Sequence, residues 1–301
     1  MKAIGVVAIA GGLSGAEIAS SGIFMGLILL FLGITGTISN IKKYIPVSII
    51  RGIQLGLALT LIRQALSFAI TDWQLGLISV VLVILFTFAP ILDISALVVF
   101  ALGLGVGIYY QGPPSITFFP LPQLIIPTWQ ELWVGFINGA LPQLPLSLGN
   151  AILATSLLIS DLLGRQVPEK KLIISMSIMN LVPSLFGGFP MCHGAGGLAA
   201  QYRFGARTGG SNIISGVIFL IIALFFAGPD LAILIPYGAL GALLLFSGIE
   251  LGKSAIRTEN WFFTGATGII AFLLGITPAF IVMIAIYWIL FKKGHIEKHG
   301  I

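Results

Sequence analysis

Charged side chains are scarce in this sequence. Only 8% of its 301 residues are Asp, Glu, Lys or Arg, whereas about a quarter of a soluble domain is charged. So few charges cannot cover a soluble surface, and their scarcity also excludes a disordered chain and a nucleic-acid-binding protein. A single cysteine excludes a disulfide framework and a cysteine-rich metal site. The sequence contains no P-loop, dinucleotide fingerprint, HExxH or nucleophile-elbow motif. It therefore predicts no enzyme, no cofactor, no metal and no ATP-driven pump.

Apolar residues dominate instead, at 57% of the chain with a mean hydropathy of +1.09. A membrane-spanning helix needs about 20 mostly apolar residues. Ten such windows lie between the charges: residues 16–38, 45–68, 73–88, 91–109, 141–163, 171–185, 211–227, 231–249, 261–274 and 278–291. An eleventh segment, residues 187–205, is apolar but interrupted by Pro190 and several glycines. The predicted fold class is an all-α membrane protein, a polytopic helical bundle with about 11 crossings and a half-helix at the N-terminus.

The basic residues gather on one predicted side of the membrane if the interrupted segment is counted as a crossing. Since cytoplasmic loops carry an excess of Lys and Arg, this pattern predicts a multi-pass cell-membrane protein with a cytoplasmic C-terminus. Arg51 and Arg63 fall inside one span near its ends, where long side chains are expected to snorkel. The loop groups are Lys42 and Lys43; Arg165, Lys170 and Lys171; Arg203 and Arg207; Lys253 and Arg257; and Lys292, Lys293 and Lys298.

Three landmarks recur at one spacing and predict an internal repeat. Pro46 and Pro236 each open a span, at an offset of 236 − 46 = 190 residues. The pairs Trp73 with Trp261 and Pro90 with Pro278 repeat at 188 residues. Seven crossings separate equivalent points, so the copies face opposite ways, as in secondary transporters. Met1 aligns with the middle of the interrupted segment, which predicts an N-terminally incomplete architecture with about 60 residues missing upstream.

The interrupted segment is the first candidate site. Pro190 and the glycines break the helix, and unwound backbone is tolerated at membrane depth where it lines a cavity or is buried in protein. A helix that starts near Gly194 would direct free N–H groups at an anion, and so would the equivalent start near Lys2, whose ammonium could neutralise a dianion. His193 could bind an oxyanion or take a proton, or simply bond to a backbone carbonyl. The predicted binding residues here are Lys2, His193, Gly194, Ala195, Gly196 and Gly197. The alternative is a Gly/Pro kink for tight helix packing.

A second candidate site lies in residues 142–150. Gln143, Ser147 and Asn150 fall at i, i+4 and i+7, which places three neutral polar groups on one helix face. Such donors suit an anion that must bind and then leave, and Pro142 and Pro145 loosen the backbone nearby. Interhelical hydrogen bonding is the alternative for these three side chains.

Other charged residues have simpler explanations. Arg203 and Arg207 could attract the anion at the cytoplasmic end, although positive-inside anchoring explains them as well. Glu17, Asp93 and Glu131 could carry protons, but each lies near a predicted helix end, which favours helix caps.

The two candidate segments resemble the signatures of the molybdate transporter family, a branch of the sulfate permease superfamily. The first runs from Pro142-Gln143-Leu144-Pro145 to Asn150. The second runs from Pro190-Met191-Cys192-His193 to Arg207. The opening Met1-Lys2-Ala3-Ile4 is similar to the end of a third motif, and residues 46–56 also match.

The resemblance implies a seven-plus-seven inverted repeat with a core domain, which holds a tetrahedral oxyanion between two half-helices, and a gate domain. Carried over by position, the core comprises residues 1–38 and 129–227, and the gate comprises residues 39–110 and 231–291. Residues 111–128 form an extracytoplasmic loop and residues 292–301 a cytoplasmic tail.

The function implied is alternating-access transport of molybdate across a lipid bilayer. A sulfate or other anion transporter, an anion channel, and a non-transporting fragment or membrane subunit remain open alternatives. Homodimers occur in the superfamily, and the sequence leaves that state open.

Overall fold

Helices make up nearly all of the computed structural model, which describes residues 4, 8, 12–38, 44–88, 94–119, 122–226 and 236–292. Within these ranges a single parallel bridge, between Thr117 and Phe226, is the only β pairing. The helices are α1 Gly15–Thr35, α2 Val47–Thr71, α3 Trp73–Phe88, α4 Ser95–Gln111, α5 Trp129–Leu163, α6 Glu169–Leu185, α7 Ala195–Arg203, α8 Gly210–Phe225, α9 Tyr237–Ala255, α10 Trp261–Leu274 and α11 Ile276–Lys292.

The bounds of these helices agree with an apolar bundle that crosses a membrane. Three helices, α1, α2 and α5, are long and apolar enough to span a bilayer, and α3, α4, α8, α10 and α11 are shorter apolar helices. The predicted all-α membrane fold is confirmed. One boundary prediction was wrong: α5 begins at Trp129, twelve residues before the window that starts at position 141, because Pro142 and Pro145 do not interrupt it.

The two prolines lie in a helix that changes its hydrogen-bond pattern twice. Residues Gly135–Ala140 and Ser147–Ala154 are π-helical, and the α-helical turn Leu141–Leu146 between them contains both prolines. Proline lacks a backbone N–H and crowds the carbonyl four residues earlier. Wider π turns on either side accommodate this loss without ending the helix.

Capping boxes begin two of the long helices. Ser14 Oγ accepts the N–H of Glu17 at 3.2 Å, and the Glu17 carboxylate accepts the N–H of Ser14 at 2.7 Å. Thr128 and Glu131 repeat this reciprocal pair at the start of α5. Both glutamates are therefore helix caps, as the sequence favoured. Asp93 lies outside the described residues.

The chain divides into two compact units. Unit 1 comprises residues 1–57, 122–198 and 252–301, and unit 2 comprises residues 58–121 and 199–251. In unit 1, α1 packs along α6, and α10 packs against α11. In unit 2, α3 packs against α4 around a small apolar core. The core and gate boundaries given by the family resemblance remain a prediction.

The apolar core of unit 1 surrounds the segments that carry the candidate site. Its buried members come from α1, α5 and α6 and from two helical residues outside these helices, Ile4 and Ile38. Cys192 of the interrupted segment packs against this cluster. The described part of the N-terminal segment is thus packed beside the elements that hold the two sequence motifs.

Arg51 corrects one expectation from the sequence. Its side chain does not snorkel: Arg51 is only 4% exposed and forms an ion pair with Asp161 of α5. Arg51 Nη2 donates to Asp161 Oδ1 at 3.0 Å. A buried guanidinium needs a compensating carboxylate because an unpaired charge in an apolar interior is costly. Arg63, farther along α2, is exposed.

The repeat landmarks coincide with helix starts. Pro46 and Pro236 directly precede α2 and α9, while Trp73 and Trp261 are the first residues of α3 and α10. Pro90 lies outside the described residues, and Pro278 is the third residue of α11. The inverted relation between the two copies remains a prediction.

Candidate functional site

The interrupted crossing, residues 187–205, follows α6 and consists of an extended segment and the short helix α7. Helix α6 ends at Leu185, and Gly187 then takes a left-handed φ of 77° that turns the chain. Helix α7 begins at Ala195, and the carbonyl of Gly194 accepts its first hydrogen bond, from the N–H of Leu198 at 3.2 Å. The sequence predicted both the break and the position of this helix start.

Two buried side chains hold the extended segment. Asn180 of α6 pairs with both backbone groups of Met191, and Thr155 of α5 donates from its hydroxyl to the carbonyl of His193 at 2.9 Å. The Thr155 hydroxyl also lies 3.1 Å from the carbonyl oxygen of Asn150. The structure therefore brings the two sequence motifs together, one on α5 and one in the interrupted crossing.

The polar face of α5 is buried as predicted. Gln143, Ser147 and Asn150 are all buried, and Gln143 Nε2 donates to Ser147 Oγ at 3.2 Å. Asn150 Oδ1 is buried and has no hydrogen-bond partner among the described residues. Because an unsatisfied buried amide atom is costly, Asn150 is the member of this face best suited to meet a ligand.

His193 has a buried nitrogen without a described partner, and two of the glycines that follow it have open space beside their backbone. The imidazole lies beside the backbone of Leu172, while its Nε2 is buried with no partner in the described part of the chain. A Cβ added to Gly194 or Gly197 would meet no atom within 4 Å. Ala195 is fully buried in the core, so only its backbone N–H can contribute to a site. Gly196 is half-buried.

Three basic residues were predicted at or near the site, and the described part of the structure includes two of them, Arg203 and Arg207. Lys2 lies outside the described residues. Arg203 and Arg207 belong to unit 2, where Arg203 bonds to Thr87 and lies over the ring of Phe246. Arg207 stacks on the ring of Tyr202, with its Cζ 3.8 Å from the ring centroid. These contacts fit local anchoring of the α7 end, and a role of either arginine in attracting anions stays a prediction.

The donor set of this site suits an anion better than a metal. Across the described ranges, no three His, Cys, Asp or Glu side chains lie close enough together to hold a metal ion. The polar groups at the interrupted crossing are neutral amides, hydroxyls, an imidazole and the backbone N–H groups at the start of α7. Such groups, with the positive end of a helix dipole, stabilise negative charge.

Comparison with known proteins decides the family. A family profile described as "Molybdate transporter of MFS superfamily" matches residues 1–61 and 135–251, which include both motifs. The chain belongs to the molybdate transporter family. The resemblance inferred from the two motifs is thereby confirmed.

Two relatives with similar sequences come from one plant. The chain is 33% identical to molybdate transporter 2 of Arabidopsis thaliana over 311 residues, which cover 85% of this chain and 67% of the relative. It is 34% identical to molybdate transporter 1 of the same plant, covering 79% of this chain and 63% of that relative. The chain thus spans about two thirds of the length of these two proteins.

A solved structure supports the fold assignment. The transmembrane domain of the cyanobacterial bicarbonate transporter BicA superimposes with a TM-score of 0.57 and 21% identity, covering 94% of this chain and 79% of that domain. At this identity the likeness shows the fold alone, namely a helical transporter domain.

The sequence missed Asn180 and Thr155. Both hold the interrupted crossing, yet neither lies within five residues of the segment they bind. The sequence offered only a weak signal, namely that each is a polar residue in an otherwise apolar span. A polar side chain inside a membrane costs free energy unless it has a hydrogen-bond partner.

Proposed function

We propose that this protein is a secondary transporter of a tetrahedral oxyanion, molybdate, that works by alternating access. The anion binds in unit 1 at the start of α7, between this helix and the equivalent half-helix that the sequence repeat predicts near Lys2. The family assignment supports the transported class, because the relatives named above are molybdate transporters. The protein resides in the cell membrane with its C-terminus in the cytoplasm.

One observation carries the proposal: open space at a helix start occurs together with two buried polar atoms that have no partner in the described part of the chain. Gly194 and Gly197 leave room for a ligand beside the backbone. The two atoms are Asn150 Oδ1 and His193 Nε2, and Thr155 brings the backbones of these two residues together. Amide O and N positions are interchangeable by a flip, so Asn150 can present a donor to an oxyanion. A dianion would accept from the Asn150 amide, and it would accept from His193 Nε2 when the imidazole carries a proton on both nitrogens.

The roles of the residues follow from their chemistry. Backbone N–H groups of α7 take most of the negative charge, since they are fixed and add no positive charge that would hold the anion too tightly. Gln143, Ser147 and Asn150 orient the anion from one face of α5, and the first two are already bonded to each other at 3.2 Å. His193 supplies an imidazole next to the start of α7.

The test is uptake of radiolabelled molybdate into proteoliposomes that contain the protein expressed from its complete reading frame. We expect saturable uptake that internal unlabelled molybdate accelerates, because an alternating-access carrier exchanges its substrate. Uptake no greater than in empty vesicles would refute the proposal. Currents that rise without saturation would indicate an anion channel, and equal competition by sulfate would widen the substrate class to tetrahedral dianions.

Gly194→Leu locates the site within the same assay. A Cβ at Gly194 meets no atom within 4 Å, so we expect the variant to fold, while its longer side chain covers the backbone that binds the anion. Loss of charge-assisted hydrogen bonds lowers affinity by about tenfold or more.

The matched control is Gly216→Leu, a change at a glycine of α8 that also has open space around it. We expect Gly216→Leu to transport as the wild type does. Unchanged affinity in Gly194→Leu would move the site away from the start of α7.

A further inference from the structure

The extended segment Met191–His193 poses a hydrogen-bonding problem. It lies between α6 and α7, and its backbone groups cannot bond within a helix. Inside an apolar protein, each unpaired N–H or C=O group is costly. Whatever side chains satisfy these groups also determine where the segment lies.

Asn180 satisfies Met191 at both of its backbone groups. Asn180 Nδ2 donates to the carbonyl of Met191 at 2.8 Å, and the N–H of Met191 donates to Asn180 Oδ1 at 3.0 Å. The second Nδ2 hydrogen goes to the carbonyl of Met176 in the preceding turn of α6, at 2.6 Å. Asn180 is 0% exposed, so its amide is both fully used and held in one orientation.

Thr155 provides the second attachment, from α5. Its hydroxyl is buried and lies between two carbonyl oxygens, that of His193 at 2.9 Å and that of Asn150 at 3.1 Å. The carbonyl of Asn150 belongs to the π-helical stretch Ser147–Ala154. One hydroxyl therefore connects the backbone of the α5 motif with the backbone of the interrupted crossing.

We propose that Asn180 and Thr155 are positioning residues of the anion site. Asn180 fixes the segment at Met191 and Thr155 fixes it at His193, two residues later, so that the direction of the chain into Gly194 and α7 is set from two sides. Neither residue needs to touch the anion. The inference rests on the proposed function for its consequence in transport, but the attachment itself can be measured without transport.

The expected effect of removing either attachment is a looser segment and a weaker site. Asn180→Leu keeps the approximate volume and removes all three hydrogen bonds. Thr155→Val keeps the shape and removes the hydroxyl, and Thr155→Ser restores it. We expect the KM for molybdate to rise about tenfold in both Asn180→Leu, which loses two bonds to the segment, and Thr155→Val, which loses one. The KM should stay near the wild-type value in Thr155→Ser.

Cys192 gives a readout that does not depend on transport. It is the single cysteine of the chain, it is partly buried, and it lies between the two attached residues. Its alkylation by N-ethylmaleimide should be about tenfold faster in Asn180→Leu and Thr155→Val than in the wild type, since buried groups react when their segment opens. Ser177→Ala is the matched control: Ser177 is equally buried on α6, but it bonds only within its own helix, to the carbonyl of Ile174 at 2.7 Å.

The outcomes separate the two proposals. Faster alkylation in Asn180→Leu and Thr155→Val but not in Ser177→Ala or Thr155→Ser supports positioning, even if the wild type takes up no molybdate. Wild-type uptake together with unchanged alkylation and unchanged KM in both variants overturns positioning and leaves the transport proposal intact. If Asn180→Leu does not yield folded protein, the pair Thr155→Val and Thr155→Ser decides by the same two measurements.

Discussion

The ion pair between Arg51 and Asp161 joins two largely buried side chains of unit 1. Arg51 Nη1 also donates to Gln54 Oε1 at 3.2 Å, and Gln54 Nε2 donates to the carbonyl of Ala154 at 3.1 Å. The chain of bonds ends at the last residue of the π-helical stretch that carries Asn150. The attraction between two charges in an apolar interior offsets their desolvation cost only when the charges are well paired. We therefore expect the removal of one partner alone to destabilise the protein.

We expect Asp161→Ala to lower the free energy of unfolding by about 3–5 kcal/mol, because it leaves the Arg51 guanidinium buried without its counter-ion. The double variant Arg51→Leu with Asp161→Leu should recover most of this loss, since well-packed apolar residues can replace a buried pair. Thermal unfolding in detergent measures both. Arg63→Leu, at an exposed position of the same helix, serves as the control. If the double variant is as unstable as Asp161→Ala, apolar residues cannot replace the pair, and the cost of Asp161→Ala does not come from an unpaired Arg51 charge.

Single residues were predictable from the sequence where they belong to a motif. Asn150 and His193 stand within recognisable runs, and each has a buried polar atom that finds no partner among the described residues; their role in anion binding stays a prediction. Asn180, Thr155 and Asp161 act through contacts with residues 11, 38 and 110 positions away. Such contacts depend on how helices are placed side by side, which periodicity in one segment does not specify.

At the scale of elements, close backbone contact joins α1 to the first π-helical stretch of α5. Ser21 Oγ of α1 donates to the carbonyl of Gly135 at 3.0 Å. A Cβ placed on Gly135 would lie 2.5 Å from the carbonyl oxygen of Glu17 and 2.6 Å from Cβ of Ser20. Small residues allow helices to approach this closely in membrane proteins, where van der Waals packing drives association.

Gly135→Ala should therefore destabilise the protein by about 1–3 kcal/mol, the usual effect of overpacking against atoms that cannot move aside. The measurement is the Tm in detergent. Gly216→Ala adds the same methyl group to a helical glycine with open space around it, and it should leave the Tm unchanged or raise it slightly because alanine favours helix. Equal behaviour of the two variants would show that α1 and α5 can move apart without loss.

Elements were more predictable than their details. The interrupted crossing was evident because Gly and Pro lie within an apolar run, and the helix starts at Trp73 and Trp261 were evident from the repeat. The start of α5 at Trp129 was missed, since two prolines usually end a helix. Here π-helical turns on both sides of the prolines allow the helix to continue. Amino-acid composition does not predict where π-helical turns form.

For the whole molecule, the sparse charges are the most informative feature. The groups of basic residues predict which loops face the cytoplasm, and the all-helical architecture supports the membrane environment on which this prediction depends. Gln123, in the loop predicted to be extracytoplasmic, and Lys170, at the start of α6, lie on opposite predicted sides. Both are exposed in the structure.

We expect a membrane-impermeant maleimide added to intact cells to label Gln123→Cys and to spare Lys170→Cys, each in a Cys192→Ser background. Permeabilising the membrane should expose Lys170→Cys to the reagent as well. The Cys192→Ser protein without an introduced cysteine is the control for background labelling. Labelling of Lys170→Cys in intact cells would contradict the predicted orientation and indicate that the C-terminus lies outside the cytoplasm.

The two π-helical stretches of α5 also constrain how its sequence can change in length. One residue in an α-helix corresponds to about 100° of rotation. A π turn is closed by i→i+5 bonds and holds about one residue more than an α turn. Deleting a single residue from Ser147–Ala154 would therefore restore a regular α-helical ladder with little rotation of the later side chains, Thr155 and Asp161 among them. The same deletion in the α-helical part of α5, between Thr155 and Asp161, would turn Asp161 by about 100° and separate it from Arg51. Family members should therefore tolerate a one-residue gap in the π-helical stretches better than in the α-helical turns beside them.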